Sequence, residues 1–283
     1  MTDVELTPDA IADLLAGAAE CREQLRIEEW SEGSPAAAEL AAASQSFSPA
    51  IDRLIRSVDL WTLVATDHLA GLSMIIASRR SLFSIFPLLR SVLEHSAYVV
   101  WALDNQVDAR GRAARAALVA VKSQEVLAGA ASRSAGKGSE TYVAHRDAYR
   151  KLREDVRAEF EIDEISDPYT IDGEPFPRIT DIIEHFGERW GGGARQWIGV
   201  YDYLCGTANH PSFNAYEYFD LTDPTAKLPE LSVDGLRRLL APAMVPYLKA
   251  LEAGTAYMGL PEEPMNAYID RVNAPLGPVL RER

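Results

Sequence analysis

The stretch FSIFPLLRSVLEHSAYVVWAL, residues Phe83 to Leu103, decides the fold class. Its apolar side chains, among them Ile85, Phe86, Leu89, Val92, Leu93, Ala97, Val100 and Trp101, run right around a helical circumference and leave almost no solvent face. Three ionisable residues, Arg90, Glu94 and His95, interrupt it. Each charge at a bilayer centre costs roughly 2.5 kcal/mol or more, so the stretch reads as a core helix rather than a membrane span. The apolar run from Leu60 to Ala77, broken by Asp67 and His68, reads the same way. A buried charge survives when it is paired. Arg90 and Glu94, at i and i+4, can pair directly, whereas His95 lies about 140° around the helix from Arg90.

Helical signals continue in both directions. Thr7-Pro8 supplies an N-cap and a first-turn proline for a helix through Leu25, and Ala36 to Ala43 reads as a short helix or a linker piece. Ser48-Pro49 starts a helix with no turn signal before Ser78, because Ile51, Leu54, Ile55, Val58 and Leu63 keep helical spacing. Beyond Asp104-Asn105, helices are predicted over Asp108 to Ser132 and Glu140 to Phe160. The second of these has a solvated face of alternating Arg and acidic residues. Residues 162–178 carry Pro168, Gly173, Pro175 and Pro177 and read as an irregular segment long enough to be a lid or a boundary. Helices resume at Ile179 to Trp190 and Ala194 to Thr207, and His210-Pro211 breaks the second. A last helix spans Val233 to Met258, where Pro242 and Pro246 predict a kink. No hairpin signal stands out. The expectation is one all-α helical bundle over 1–283: an N-terminal helix and Ala-rich segment to residue 46, core helices over 47–161, the irregular segment, then C-terminal helices from 179.

Composition narrows the function classes. Of 283 residues, 47% are apolar, enough for a sizeable core. The 28 basic and 42 acidic residues leave a net charge of −14, a field that repels DNA and anionic membrane surfaces. The acidic first ten residues lack the pattern of a secretion signal, so a cytoplasmic location is expected. Cys21 and Cys205 are too far apart in sequence to suggest a disulfide framework or zinc ribbon. Glu-x-x-His, His-Glu-x-x-His, nucleophile-elbow and phosphate-loop patterns are all missing, so neither a metal nor a cofactor is expected.

Three clusters carry candidate chemistry. The first is Arg90, Glu94 and His95. In the second, Arg110, Arg112 and Arg115 crowd the start of a helix, where the dipole disfavours cations. They need acidic partners, with Asp104 and Asp108 at hand or Glu94 reached back to in an antiparallel pair. The third gathers Tyr201, Tyr203, Asn209 and His210 at a helix end, where the imidazole is either a cap or an acid–base group. His145 and His185 lie among charges and read as surface residues, while Asp67-His68 reads as a core polar pair.

The string Arg90-Ser91-Val92-Leu93-Glu94-His95 resembles the Arg-x4–6-His motif of the HEPN superfamily, all-helical prokaryotic domains that include metal-independent endoribonucleases and inert relatives. Arg90, Ser91 and His95 match its three positions, and Arg178 with His185 makes a second match. A wider likeness covers Ile51 to Pro211: the Arg-x-x-x-Glu helix with Trp101, the Arg-rich start that follows, and a late Tyr-x-x-Leu (Tyr201 to Leu204) before His210-Pro211. The resemblance implies a homodimer and a place in prokaryotic defence or stress response. Three functions follow as expectations. One is a binding or regulatory protein whose Arg90, Glu94, Arg112 and His210 line an internal polar pocket, with Arg115, Tyr201 and Asn209 as further binding residues. The second is a ribonuclease using His95 as acid–base and Arg90 as phosphate stabiliser, on RNA. The third is an enzyme acting on a small molecule in a helical cavity.

Overall fold

The computed structural model describes residues 7–26, 29–79, 83–166, 169–190, 193–209, 219–220, 230–231 and 233–276. In chain order they form α1 (Pro8–Leu25), α2 (Pro35–Ala42), α3 (Ser48–Ser78), α4 (Ile85–Ala102), α5 (Ala109–Ala135) and α6 (Glu140–Phe160). A two-residue hairpin follows, β1 (Thr170–Ile171) with β2 (Glu174–Pro175). Then come α7 (Ile179–Trp190), α8 (Ala194–Asn209), a second small pair β3 (Phe219–Asp220) and β4 (Glu230–Leu231), α9 (Val233–Met258) and α10 (Glu263–Leu276). The protein is an all-α helical bundle, as its periodicity predicts.

Local chemistry sets the helix starts. Thr7 Oγ1 accepts from the Ala10 amide at 3.1 Å, Asp108 Oδ1 from Gly111 at 2.8 Å, and Ser139 Oγ from Tyr142 at 3.2 Å. Each satisfies an amide that the first helical turn leaves unpaired, worth about 1 kcal/mol. The quoted stretch becomes α4, the axis of the bundle, packed most closely against α3 and α9 and then against α8 and α7. Phe86, Leu89, Val92 and Leu93 are fully enclosed there, each stabilising the fold by roughly 1.5–3 kcal/mol. By length and composition α3 could cross a bilayer, but here one face packs on α1, α4 and α5. Its Thr66 and the α9 Tyr247 share a buried hydrogen bond at 2.9 Å, and Tyr247 also donates to the Ala18 carbonyl of α1 at 3.2 Å.

Three expectations need correction. A tenth helix, α10, lies beyond Met258, with Met265, Tyr268 and Val272 at helical spacing on its buried side. Residues 162–178 contain a hairpin, and their described part is pinned rather than free to act as a lid. Ile165 and Ile171 are buried, Arg153 donates to the Ile165 carbonyl, and Tyr169 stacks with Lys122 and Arg153 while its hydroxyl meets Tyr149 at 2.7 Å. Finally, α5 packs mainly on α6 and α3 rather than along α4. That arrangement decides where its arginines reach.

Candidate functional site

Polar groups converge at both ends of α4. In its first half, Arg90 Nε donates to Glu94 Oε1 at 2.7 Å, and Tyr201 of α8 donates to the same oxygen at 2.8 Å. Arg90 Nη2 lies 3.3 Å from the Tyr201 hydroxyl, and the guanidinium carbon sits 5.5 Å from the ring centroid. The hydrogen bond to Glu94 raises Arg90 above its ordinary value, so it stays charged. Burial, then hydrogen bonds to Cys205 and Glu94, raise Tyr201 and keep its phenol protonated. Pro87, Ser91 and Ala208 complete a cleft of about 240 Å³ around the pair. Side chains of Arg90 and Glu94 retain 30% and 21% of their exposure, so the pair is open to small molecules rather than sealed. Glu94 Oε2 and Arg90 Nη1 have no partner among the described residues.

His95 faces elsewhere, as the helical rotation requires. Its Nδ1 lies 2.8 Å from the Ser91 carbonyl and 3.2 Å from the Ser91 hydroxyl. A carbonyl only accepts, so Nδ1 carries the proton there and Nε2 is left as the basic nitrogen. The ring centroid is 6.2 Å from that of His68 on α3. Burial, then the neighbouring His95, lower His68, with Asp67 opposing them. Asp67 is exposed and His68 half-buried, so the two are not the core pair the sequence suggested. Within one chain, His95 and Arg90 do not form a joint site.

The other end of α4 holds a denser network that pulls Arg112 and Arg115 away from Glu94. Arg112 pairs with Glu39 of α2 and donates to the Val107 carbonyl. The second Glu39 oxygen accepts from Tyr257 of α9 at 2.7 Å. Arg115 donates to the Trp101 carbonyl at 2.6 Å and to Glu174 of β2 at 2.9 Å, and sits 5.0 Å over the Trp101 ring. Between them Asp104, only 4% exposed at its side chain, accepts from Arg189 of α7 at 2.8 Å and from the Gln106 amide at 3.1 Å. Arg115 lies 3.9 Å from it. His185 Nε2 is 3.4 Å from Asp104, yet burial outweighs that carboxylate and lowers the imidazole below its ordinary value. We therefore take His185 as neutral and half-buried, not the surface residue its charged neighbours suggested.

The α7–α8 hairpin serves both ends, bringing His185 and Arg189 to Asp104 and Tyr201 to Glu94. It is tight because Gly187 lets the helices touch: a β-carbon there would stand 2.9 Å from the Gly193 carbonyl oxygen and 3.0 Å from the Ala194 α-carbon. Phe186 then packs edge-on against Trp197, centroids 4.9 Å apart.

Of the predicted site residues, Arg90, Glu94 and Tyr201 come together, while Arg112 and Arg115 belong to the Asp104 end. The expected pocket joining Arg90, Glu94 and Arg112 is thus divided along α4. Asn209 is the last residue of α8, and His210 lies outside the described residues. Glu39, Glu174, Arg189 and Tyr257 escaped the sequence reading. The one available signal was Glu39, the sole charge in the run PAAAELAA. No known family model matches the chain, and neither a curated protein nor a solved structure does.

Proposed function

We propose that this chain is a HEPN-like binding or regulatory protein, and that the cleft at Arg90, Glu94 and Tyr201 is its recognition site. The supporting observation is that one open donor and one open acceptor are carried by the two ionised side chains lining the same cleft. Arg90 Nη1 and Glu94 Oε2 have no described partner, while Tyr201 and Arg90 Nε hold the carboxylate in place. That pattern matches a planar group presenting an acceptor next to a donor, such as a carboxamide or the lactam edge of a nucleobase. A cleft of about 240 Å³ takes one such ring and not an extended chain. A cytoplasmic homodimer acting in defence or stress response is part of this reading. Titration calorimetry with guanosine, on the wild type and on Glu94→Gln, tests it. Binding weakened at least tenfold in the variant supports the site; equal affinity, or no binding to either, removes it.

A ribonuclease is the second reading, favoured by the basic Nε2 that the Ser91 carbonyl leaves on His95. Because Arg90 points away, it requires a second copy to supply the guanidinium. Cleavage of an RNA substrate unchanged in His95→Ala would sink it.

A further inference from the structure

Pro87, Arg90, Ser91 and Glu94 are spaced three and four residues apart, which sets them on one face of α4, and all four line the cleft of about 240 Å³. Ser91 also reaches the neighbouring face. Its Oγ lies 3.2 Å from His95 Nδ1, and its carbonyl oxygen lies 2.8 Å from the same nitrogen. The half-buried serine thus stands between the cleft and the imidazole.

Counting hydrogen bonds on this residue fixes the direction of its hydroxyl. A serine hydroxyl has one proton to donate and two lone pairs that accept. In helices the proton commonly returns to the carbonyl one turn earlier, and it does so here at Thr62, to Val58 at 2.8 Å, and at Thr207, to Tyr203 at 2.9 Å. Ser91 makes no such bond to Pro87 among the described residues, and His95 Nδ1 is the polar atom its hydroxyl meets. That nitrogen already carries a proton, because the carbonyl beside it can only accept, so it cannot receive a second one from Ser91. The hydroxyl therefore turns a lone pair to His95 and keeps its own proton free. With Arg90 Nη1 and Glu94 Oε2, the cleft holds two free donors and one free acceptor. A phosphate or carboxylate would bring its charge against Glu94, whereas a neutral ring with two acceptors and one donor satisfies all three.

We infer that Ser91 is a further recognition residue of this cleft, its hydroxyl donating to N7 of a 6-oxopurine whose lactam is held by Arg90 and Glu94. The inference rests on the reading of the cleft as a lactam site. In guanine the acceptor next to O6 is N7, whereas a pyrimidine lactam has only a carbon-bound hydrogen or methyl at the corresponding position. Titration calorimetry with guanosine and 7-deazaguanosine, in which N7 is replaced by a C–H group, tests it on the wild type and on Ser91→Ala. The wild type binds 7-deazaguanosine about fivefold more weakly than guanosine, the worth of one neutral hydrogen bond. Ser91→Ala binds both nucleosides with the same, weakened affinity. A serine with a purely structural role would leave the preference for N7 intact, so the ratio of the two affinities is the readout. Should the alanine variant fail to fold, Ser91→Cys, whose thiol is a weak donor, shows the same loss of preference. Guanosine binding that depends on Glu94 but is equalled by 7-deazaguanosine in the wild type overturns the role of Ser91 and leaves the cleft as a lactam site. A preference for N7 that survives in the variants overturns it as well, and failure of guanosine to bind the wild type overturns both readings.

Discussion

The two ends of α4 make opposite use of similar residues. At the Arg90 end, one arginine, one glutamate and one tyrosine form a partly exposed triad that involves two helices. Around Asp104, cations from α5 and α7 converge on a carboxylate removed from solvent, and the surrounding pairs tie in α2, β2 and α9. The first arrangement is cheap to open and leaves hydrogen-bonding capacity for a ligand. The second is deeply committed, because removing one partner strands the others in a poorly solvated place. A single helix thus carries a site suited to recognition and a site suited to holding the fold, and burial separates the two roles.

Substitution at the carboxylate itself makes the largest test of that contrast. Asp104→Ala leaves Arg189 and the buried Arg115 without their shared acceptor and is expected to cost about 3–5 kcal/mol in urea denaturation. A loss under about 1 kcal/mol, the range of exposed ion pairs, would erase the difference between the two ends. Tyr201→Phe removes one hydrogen bond at the open end and is expected to cost about 1 kcal/mol, with the fold retained. A cost matching that of Asp104→Ala would reclassify the triad as a structural brace.

The smallest effect is a pH dependence. His185 titrates near 6.5 when unfolded and lower in the folded chain, so between those values the unfolded state binds more protons. Stability present above pH 6.5 is therefore lost as the pH falls through the folded value. His68, also lowered, adds to the same decline. The His185→Gln variant should show a shallower fall in melting temperature from pH 7 to pH 5. An unchanged slope would place His185 outside the Asp104 network.

Much of this molecule is legible in its residues taken in order. Helix starts at Pro8, Ser48, Glu140, Ile179, Ala194 and Val233 follow from caps, prolines and apolar spacing, because a helix is built from contacts three and four residues apart. The same spacing pairs Arg90 with Glu94 and turns His95 to another face, so two of the triad's three members are legible without any tertiary contact. In the sequence Tyr201 reads only as a polar group near a helix end. Its partner lies 107 residues away.

Tertiary structure alone decided the rest. Arg112 could have reached Glu94 by an antiparallel pairing of neighbouring helices, but α5 packs on α6 and α3 and delivers it to Glu39, 73 residues distant. Asp104 reads as a turn residue until α7 brings Arg189 and His185 against it. Sequence by itself determined the helices through Met258 and the local Arg90–Glu94 pair, since each rests on short-range geometry. Which charges meet across the bundle, and which of them lose solvent, depends on how helix faces stack, and that is a property of the packed whole.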